Sequence, residues 1–131
     1  MSSQKILVVD DDAESRGLIC EVLEANGYAV SAVEDCAAAR QALGRDGLYR
    51  IVIADLHMPN ESGLDLLRSL RPQIAKQDIA LILMSSFISG PERKSAKELG
   101  AHAMLEKPFR LSELLELVGE LTDKKTMGIA P

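Results

Sequence analysis

Short runs of β-branched and aliphatic residues alternate five times with longer stretches of helical periodicity, and few architectures accept that order. Ile6–Val9 is a run of Ile, Leu and Val, as expected of a strand buried on both faces. Asp12 can cap a helix to about Asn26, with Leu18, Ile19, Val22 and Leu23 on one stripe and Gly27 as its stop. Tyr28–Val33 reads as a second strand, and Asp35 caps an Ala-rich helix over Cys36–Leu43 that ends in the stretch from Gly44 to Gly47. Ile51–Ala54 is a third strand. Pro59 and Gly63 punctuate a loop, and Leu64, Leu67 and Leu70 mark a helix ending at Pro72. Ala80–Met84 is a fourth strand, Glu92–Leu99 a helix closed by Gly100, and Ala103–Leu105 a short fifth strand. Beyond Pro108, the amphipathic stretch Ser112–Leu121 carries Leu114, Leu115, Val118 and Leu121 on its apolar side. Residues 4–122 are thus expected to form one domain, and 123–131 a loose tail, polar and then small.

Strict strand–helix alternation predicts the α/β class: a single-domain, doubly wound, five-stranded parallel sheet with right-handed crossovers and helices on both faces. The length of 131 residues suits one domain and is too short for two ordinary ones. The longest apolar run, Ile79 to Met84, has six residues, too few for membrane insertion as a helix. Met1 leads directly through Lys5 into the first strand and then acids, unlike a secretory signal. Cys20 and Cys36 have no histidine nearby, which disfavours zinc and disulfide frameworks and favours a reducing, cytoplasmic setting with both as small apolar residues. A net charge of −5 without a basic run argues against direct nucleic-acid binding, and two Tyr, two Phe and no Trp offer little for base stacking.

In doubly wound sheets, ligands collect at the carboxyl ends of the strands, beside the topological switch point. Here the first strand ends in Asp10-Asp11-Asp12, the third in Asp55, the fourth in Ser85-Ser86, and the fifth runs into Glu106-Lys107-Pro108. Carboxylates about 4–5 Å apart repel by several kcal/mol at an effective dielectric near 20. Three together either rise in pKa or recruit a cation. An all-oxygen set selects a hard divalent ion, and Mg²⁺ fits because it binds through one or two carboxylates, keeps waters and completes its shell on a phosphoryl oxygen. Lys107 brings a second positive charge and Ser85 a hydroxyl. These groups around one point suit phosphoryl transfer to a carboxylate oxygen, giving an acyl phosphate. Each element alone is ordinary: acids after a strand usually cap a helix, as Asp12 is expected to do, and Ser pairs usually make turns. Their joint occurrence at four strand ends is what carries the reading.

On the motifs Val8-Val9-Asp10-Asp11, Asp55-Leu56-His57-Met58-Pro59 with Gly63, Met84-Ser85-Ser86 and Lys107-Pro108-Phe109, the chain resembles the receiver domain of two-component response regulators. The spacings of 44 residues from Asp11 to Asp55, 30 to Ser85 and 22 to Lys107 fit that family. The resemblance covers about residues 4–122 and implies the flavodoxin-like strand order 2-1-3-4-5. By it, Asp55 matches the phosphoacceptor, Asp11 a direct Mg²⁺ ligand, and Asp10 its neighbour acting through water. His57 matches the position that lends its backbone carbonyl to the metal. Ser85 matches the hydroxyl that binds the phosphoryl group and moves on activation, Ser86 the small residue that leaves room for phosphate, and Lys107 the lysine that pairs with phosphate. Lys107–Pro108 would be the cis peptide of the family, and Pro59 and Gly63 shape the acceptor loop. Met104 stands where many members carry an aromatic switch residue; methionine can fill the same gap in several rotamers. Phe87 and His57 occupy positions flanking the path of hydrolytic water, which implies a comparatively long-lived phosphoryl form.

The resemblance implies a phosphorylation-dependent switch rather than a turnover enzyme. Its phosphoryl donor would be a histidine kinase or a histidine phosphotransfer protein. Its output would go to an effector protein or domain through the fourth helix, fifth strand and last helix, including Arg93, Lys97, Met104 and Glu106. A homodimer on activation is one form that output takes, and the chain fits either a stand-alone receiver or part of a longer regulator. Three rivals remain. A Mg²⁺-dependent phosphatase would place its nucleophile in an Asp-x-Asp motif after the first strand and needs a cap domain. A flavin-binding module would want a Ser/Thr/Gly-rich loop where three acids stand here. A receiver-like interaction module that is never phosphorylated would not need the complete acceptor set.

Overall fold

A computed structural model describes residues 5–46 and 49–127. Five strands, β1 (Lys5–Val9), β2 (Ala29–Val33), β3 (Ile51–Asp55), β4 (Ala80–Ser85) and β5 (Ala103–Glu106), alternate with five helices, α1 (Ala13–Ala25), α2 (Cys36–Asp46), α3 (Gly63–Gln77), α4 (Gly90–Leu99) and α5 (Leu111–Met127). All pairings are parallel and the order is β2-β1-β3-β4-β5. β1, β3 and β4 sit between other strands and are buried almost throughout, which is why their sequences are nearly continuous aliphatic runs.

Because side chains alternate across a strand, each central strand feeds two cores. Leu7, Val9, Val52, Ala54, Leu81 and Leu83 meet α2, α3 and α4 on one face. Ile6, Val8, Ile51, Ile53, Ile82 and Met84 meet α1 and α5 on the other. The strand order reverses between β1 and β3, so the switch point lies at their carboxyl ends.

The helix ends show where local signals decided and where packing did. Asp12 caps α1, its carboxylate accepting the Glu14 N–H, and Gly100 closes α4 in the left-handed region at φ 100°. α4 begins two residues earlier than expected, at Gly90, because Ser89 and Glu92 form a reciprocal capping box with Pro91 in the first turn. α3 continues through Pro72 to Gln77. Pro72 is exposed, and Ile74, two residues further on, packs against the core. α2 likewise runs past Gly44, and α5 continues six residues beyond the expected Leu121 end, to Met127. Residues 128–131 of the expected tail lie outside the described residues. Leu18, placed on the α1 stripe by periodicity, is 52% exposed, whereas Ile19 and Leu23 carry the contact. Cys36 is buried, its thiol pushed up to about 11 mainly by burial, as befits a packing residue.

Candidate functional site

The register builds the site. Val9 pairs with Ala54, so the next residues, Asp10 and Asp55, emerge side by side at the switch point. Asp10 is fully buried, Asp55 is buried and Asp11 is exposed, and one carboxylate oxygen from each lies within 4.8 Å of the others. Asp10 Oδ1 accepts the Asp12 N–H at 3.0 Å. Asp10 Oδ2 is buried with no hydrogen bond, its Lys107 ammonium neighbour standing off at 3.8 Å. Asp55 Oδ1 accepts the His57 N–H at 3.1 Å, and Oδ2 accepts from Lys107 Nζ at 3.2 Å. Burial pushes the Asp55 carboxyl above its ordinary value, against the opposing pull of Lys107 and the His57 N–H.

Like charges at such separations repel by roughly 3 kcal/mol per pair at an effective dielectric near 20, and the Lys107 ammonium pairs with Asp55 and stands 3.8 Å from Asp10. A buried carboxylate oxygen without a hydrogen bond is costly unless a cation completes it. The donor set is carboxylate oxygen throughout, so the observation fits a hard divalent cation of the Mg²⁺ type, with Asp10, Asp11 and Asp55 as the residues that could hold it.

The loop after β3 is pressed against this cluster. A Cβ on Gly63 would fall 2.7 Å from the Asp55 carbonyl and 2.8 Å from Leu83 Cδ2, so only glycine permits the approach. The Gly63 N–H donates to the Leu56 carbonyl, and Ser62 caps α3 immediately before it. Pro59 is exposed in the same loop and, with Asp11, Arg16, Glu34, Asp35 and Asn60, lines a polar cleft of about 350 Å³ beside the acids. Lys107 is fixed from the other side: its N–H donates to the Ser85 carbonyl at 2.7 Å, and the Lys107–Pro108 peptide is cis.

Ser85, expected at the site, ends β4 and is 1% exposed, but its hydroxyl engages His57 Nδ1 at 2.9 Å and the Phe87 carbonyl at 3.0 Å rather than Asp55. Ser86 and Phe87 are exposed, Phe87 at 64%. Met104 is half-buried and packs against the core on the α4 side. Arg93 pairs with Glu106 at 3.3 Å, and Glu106 Oε2 also accepts the Ile88 N–H. Two participants were not singled out from sequence. Arg16 donates to the Asp10 carbonyl at 2.7 Å, and Glu92 accepts from His57 Nε2 at 2.8 Å. The Ser89-x-x-Glu92 capping signature was legible and marks Glu92 as ordered; nothing in the order of residues links it to His57.

Among the described residues, no helix is long and apolar enough to cross a membrane. The model for the response regulator receiver domain matches residues 6–119. Among curated relatives, Protein PetR of Rhodobacter capsulatus is 39% identical over 115 residues, covering 87% of this chain and 46% of that protein. Two-component response regulator ORR3 of Oryza sativa subsp. indica is 31% identical, with 91% of each chain covered. This chain therefore spans less than half of PetR but nearly all of ORR3. Among solved structures, a response regulator receiver protein from Pseudomonas putida aligns with a TM-score of 0.85 at 32% identity, covering 92% of this chain and 98% of that one. A receiver domain protein from Clostridium thermocellum aligns with a TM-score of 0.87 at 25% identity, covering 95% and 98%. Strand order, acidic cluster, matched motifs and relatives agree: this chain belongs to the response regulator receiver domain family, the signalling switch of two-component systems rather than a metabolic enzyme.

Proposed function

We propose that Asp55 is the phosphoacceptor and that the chain takes its phosphoryl group from a phosphohistidine on a histidine kinase or phosphotransfer protein in the cytoplasm. The observation that carries this is the convergence of Asp10, Asp11 and Asp55 within 4.8 Å, with Lys107 at 3.2 Å from the proposed acceptor oxygen. A carboxylate oxygen of Asp55 forms the new P–O bond as the P–N bond to the donor imidazole breaks, and the imidazole, protonated on its other ring nitrogen, takes the electron pair and leaves as the neutral ring. Asp10, Asp11, Asp55 and the His57 backbone carbonyl would hold Mg²⁺, which when bound neutralises charge on the phosphoryl oxygens.

Lys107 pairs with the carboxylate before transfer and with a phosphoryl oxygen afterwards. Ser86, small and exposed, leaves space for the incoming group. Phosphorylation adds about −1.5 to −2 charges, by analogy with other phosphorylated side chains. Only contacts made to phosphate and not to the bare carboxylate can move the conformational equilibrium, and the Ser85 hydroxyl, now bonded to His57 and the Phe87 carbonyl, can exchange partners to make one. Its movement, with accommodation at Met104, would change the α4–β5–α5 face carrying Arg93, Lys97 and Glu106, where an effector or a second copy docks. Phe87 and His57 flank the route of hydrolytic water and prolong the phosphoryl state. Incubation with acetyl phosphate and Mg²⁺ should add one phosphate by mass to the wild type and none to Asp55→Asn; labelling of both alike would refute the assignment.

A further inference from the structure

The His57 imidazole, from the loop after β3, bridges the end of β4 and the first turn of α4 across the connection 86–89. Its Nδ1 meets the Ser85 hydroxyl at 2.9 Å at the end of β4, and its Nε2 meets Glu92 Oε2 at 2.8 Å in the first turn of α4. Glu92 is itself held, because Oε1 accepts the Ser89 N–H at 2.9 Å while Ser89 Oγ accepts the Glu92 N–H at 3.1 Å. A carboxylate oxygen 2.8 Å from Nε2 requires a proton on that nitrogen. In the neutral ring Nδ1 is then an acceptor, so the Ser85 O–H is shared between it and the Phe87 carbonyl, while Ser85 Oγ accepts the Phe87 N–H at 3.3 Å. The order hydroxyl, imidazole, carboxylate is that of a hydrolase triad, but here Ser85 is 1% exposed and the chain of bonds runs to a helix cap, so it positions rather than attacks.

We propose that His57 and Glu92 are positioning residues that latch the Ser85 hydroxyl in its resting orientation, so that phosphorylation must exchange the Ser85–His57 bond for a Ser85–phosphoryl bond and thereby releases the first turn of α4. The switching half of this rests on Asp55 being the phosphoacceptor. The latch competes with phosphate for one hydroxyl proton, so removing it raises the fraction of molecules ready to receive phosphate. His57 is exposed and Glu92 half-buried, so neither replacement opens the core.

The experiment measures the initial rate of acetyl-phosphate labelling with Mg²⁺ on the full chain. His57→Phe and Glu92→Ala should each accelerate labelling about 2- to 10-fold, the population worth of one net hydrogen bond. Glu98→Ala, which removes an equal charge from the exposed far end of α4 and leaves the His57 bridge intact, should leave the rate unchanged. In a Ser85→Ala background, His57→Phe should have no further effect. An unchanged rate in His57→Phe, an equal acceleration by Glu98→Ala, or a His57→Phe effect that persists without Ser85 overturns the latch. Failure of the wild type to take phosphate on Asp55 instead overturns the acceptor assignment. The latch is then read in the unmodified protein from the ¹⁵N resonances of the His57 ring. Nε2 should carry the proton, Ser85→Ala should shift Nδ1 and Glu92→Ala should shift Nε2; a ring indifferent to both replacements overturns the proposal.

Discussion

The ends of β1 and β3 and the ends of β4 and β5 meet at one site, yet they are built by different means. On the first side, the polar groups grow directly out of central strands: Asp10 and Asp55 are buried and held by main-chain N–H groups from Asp12 and His57. On the second side, side chain holds side chain. Ser85 is tied to His57, His57 to Glu92, and Arg93 to Glu106, mostly at exposed or half-exposed positions, and β5 is a four-residue edge strand of intermediate burial. Backbone bonds in a packed core admit one arrangement, whereas exposed side-chain pairs are individually weak and readily exchanged. The first region is therefore suited to holding charge in place, and the second to having two states.

The contrast can be broken most severely at the acceptor. Asp55→Asn should abolish phosphate labelling, read by intact mass. Lys107→Ala should slow labelling by about 100-fold, as expected for losing a charged group aimed at developing negative charge, while a thermal melt reports the cost of removing the ammonium beside Asp10 and Asp55.

Stability should divide the same two regions. Ile53→Ala, in the middle of β3 and fully buried, should cost about 3 kcal/mol by urea denaturation. Met104→Ala, on the half-buried edge, should cost about 1 kcal/mol. Equal costs would mean that β5 is as firmly packed as the centre and would erase the distinction. Phe87→Ser tests the open side kinetically: the aspartyl phosphate should decay about 2- to 5-fold faster, within the range of a modest change in barrier, and an unchanged lifetime removes Phe87 from that role.

The smallest effect concerns pH. Burial holds the folded Asp55 carboxyl above its ordinary value of 3.8, so the folded state binds this proton more tightly than the unfolded chain does. The associated stability is fully present below about 3.8 and is lost as pH rises through the folded value. In EDTA near neutral pH, Asp55→Asn should therefore melt slightly higher than the wild type, with the difference closing on acidification toward 3.8.

The five strands, and the residues gathered at their carboxyl ends, were legible because buried parallel strands must be continuous aliphatic runs and the first polar residue after each must face the switch point. Helix ends were less legible. Pro72 and Gly44 look like stops, but an exposed proline within reach of a packing residue such as Ile74 does not end a helix that the core holds. Leu18 shows the converse: periodicity selects a stripe, and only the neighbouring elements decide how much of it is covered.

What the amino-acid order determined by itself is the alternation, hence the layered sheet, and the set of acids, hydroxyl and lysine that this sheet carries to one edge. The tertiary structure alone decided which of them touch. Register set Asp10 beside Asp55, the missing side chain of Gly63 let the loop close on the Asp55 carbonyl, and packing of α4 brought Glu92 to a histidine 35 positions earlier. Hydrogen bonds are decided within a few tenths of an ångström, a scale on which periodicity and motif spacing carry no information.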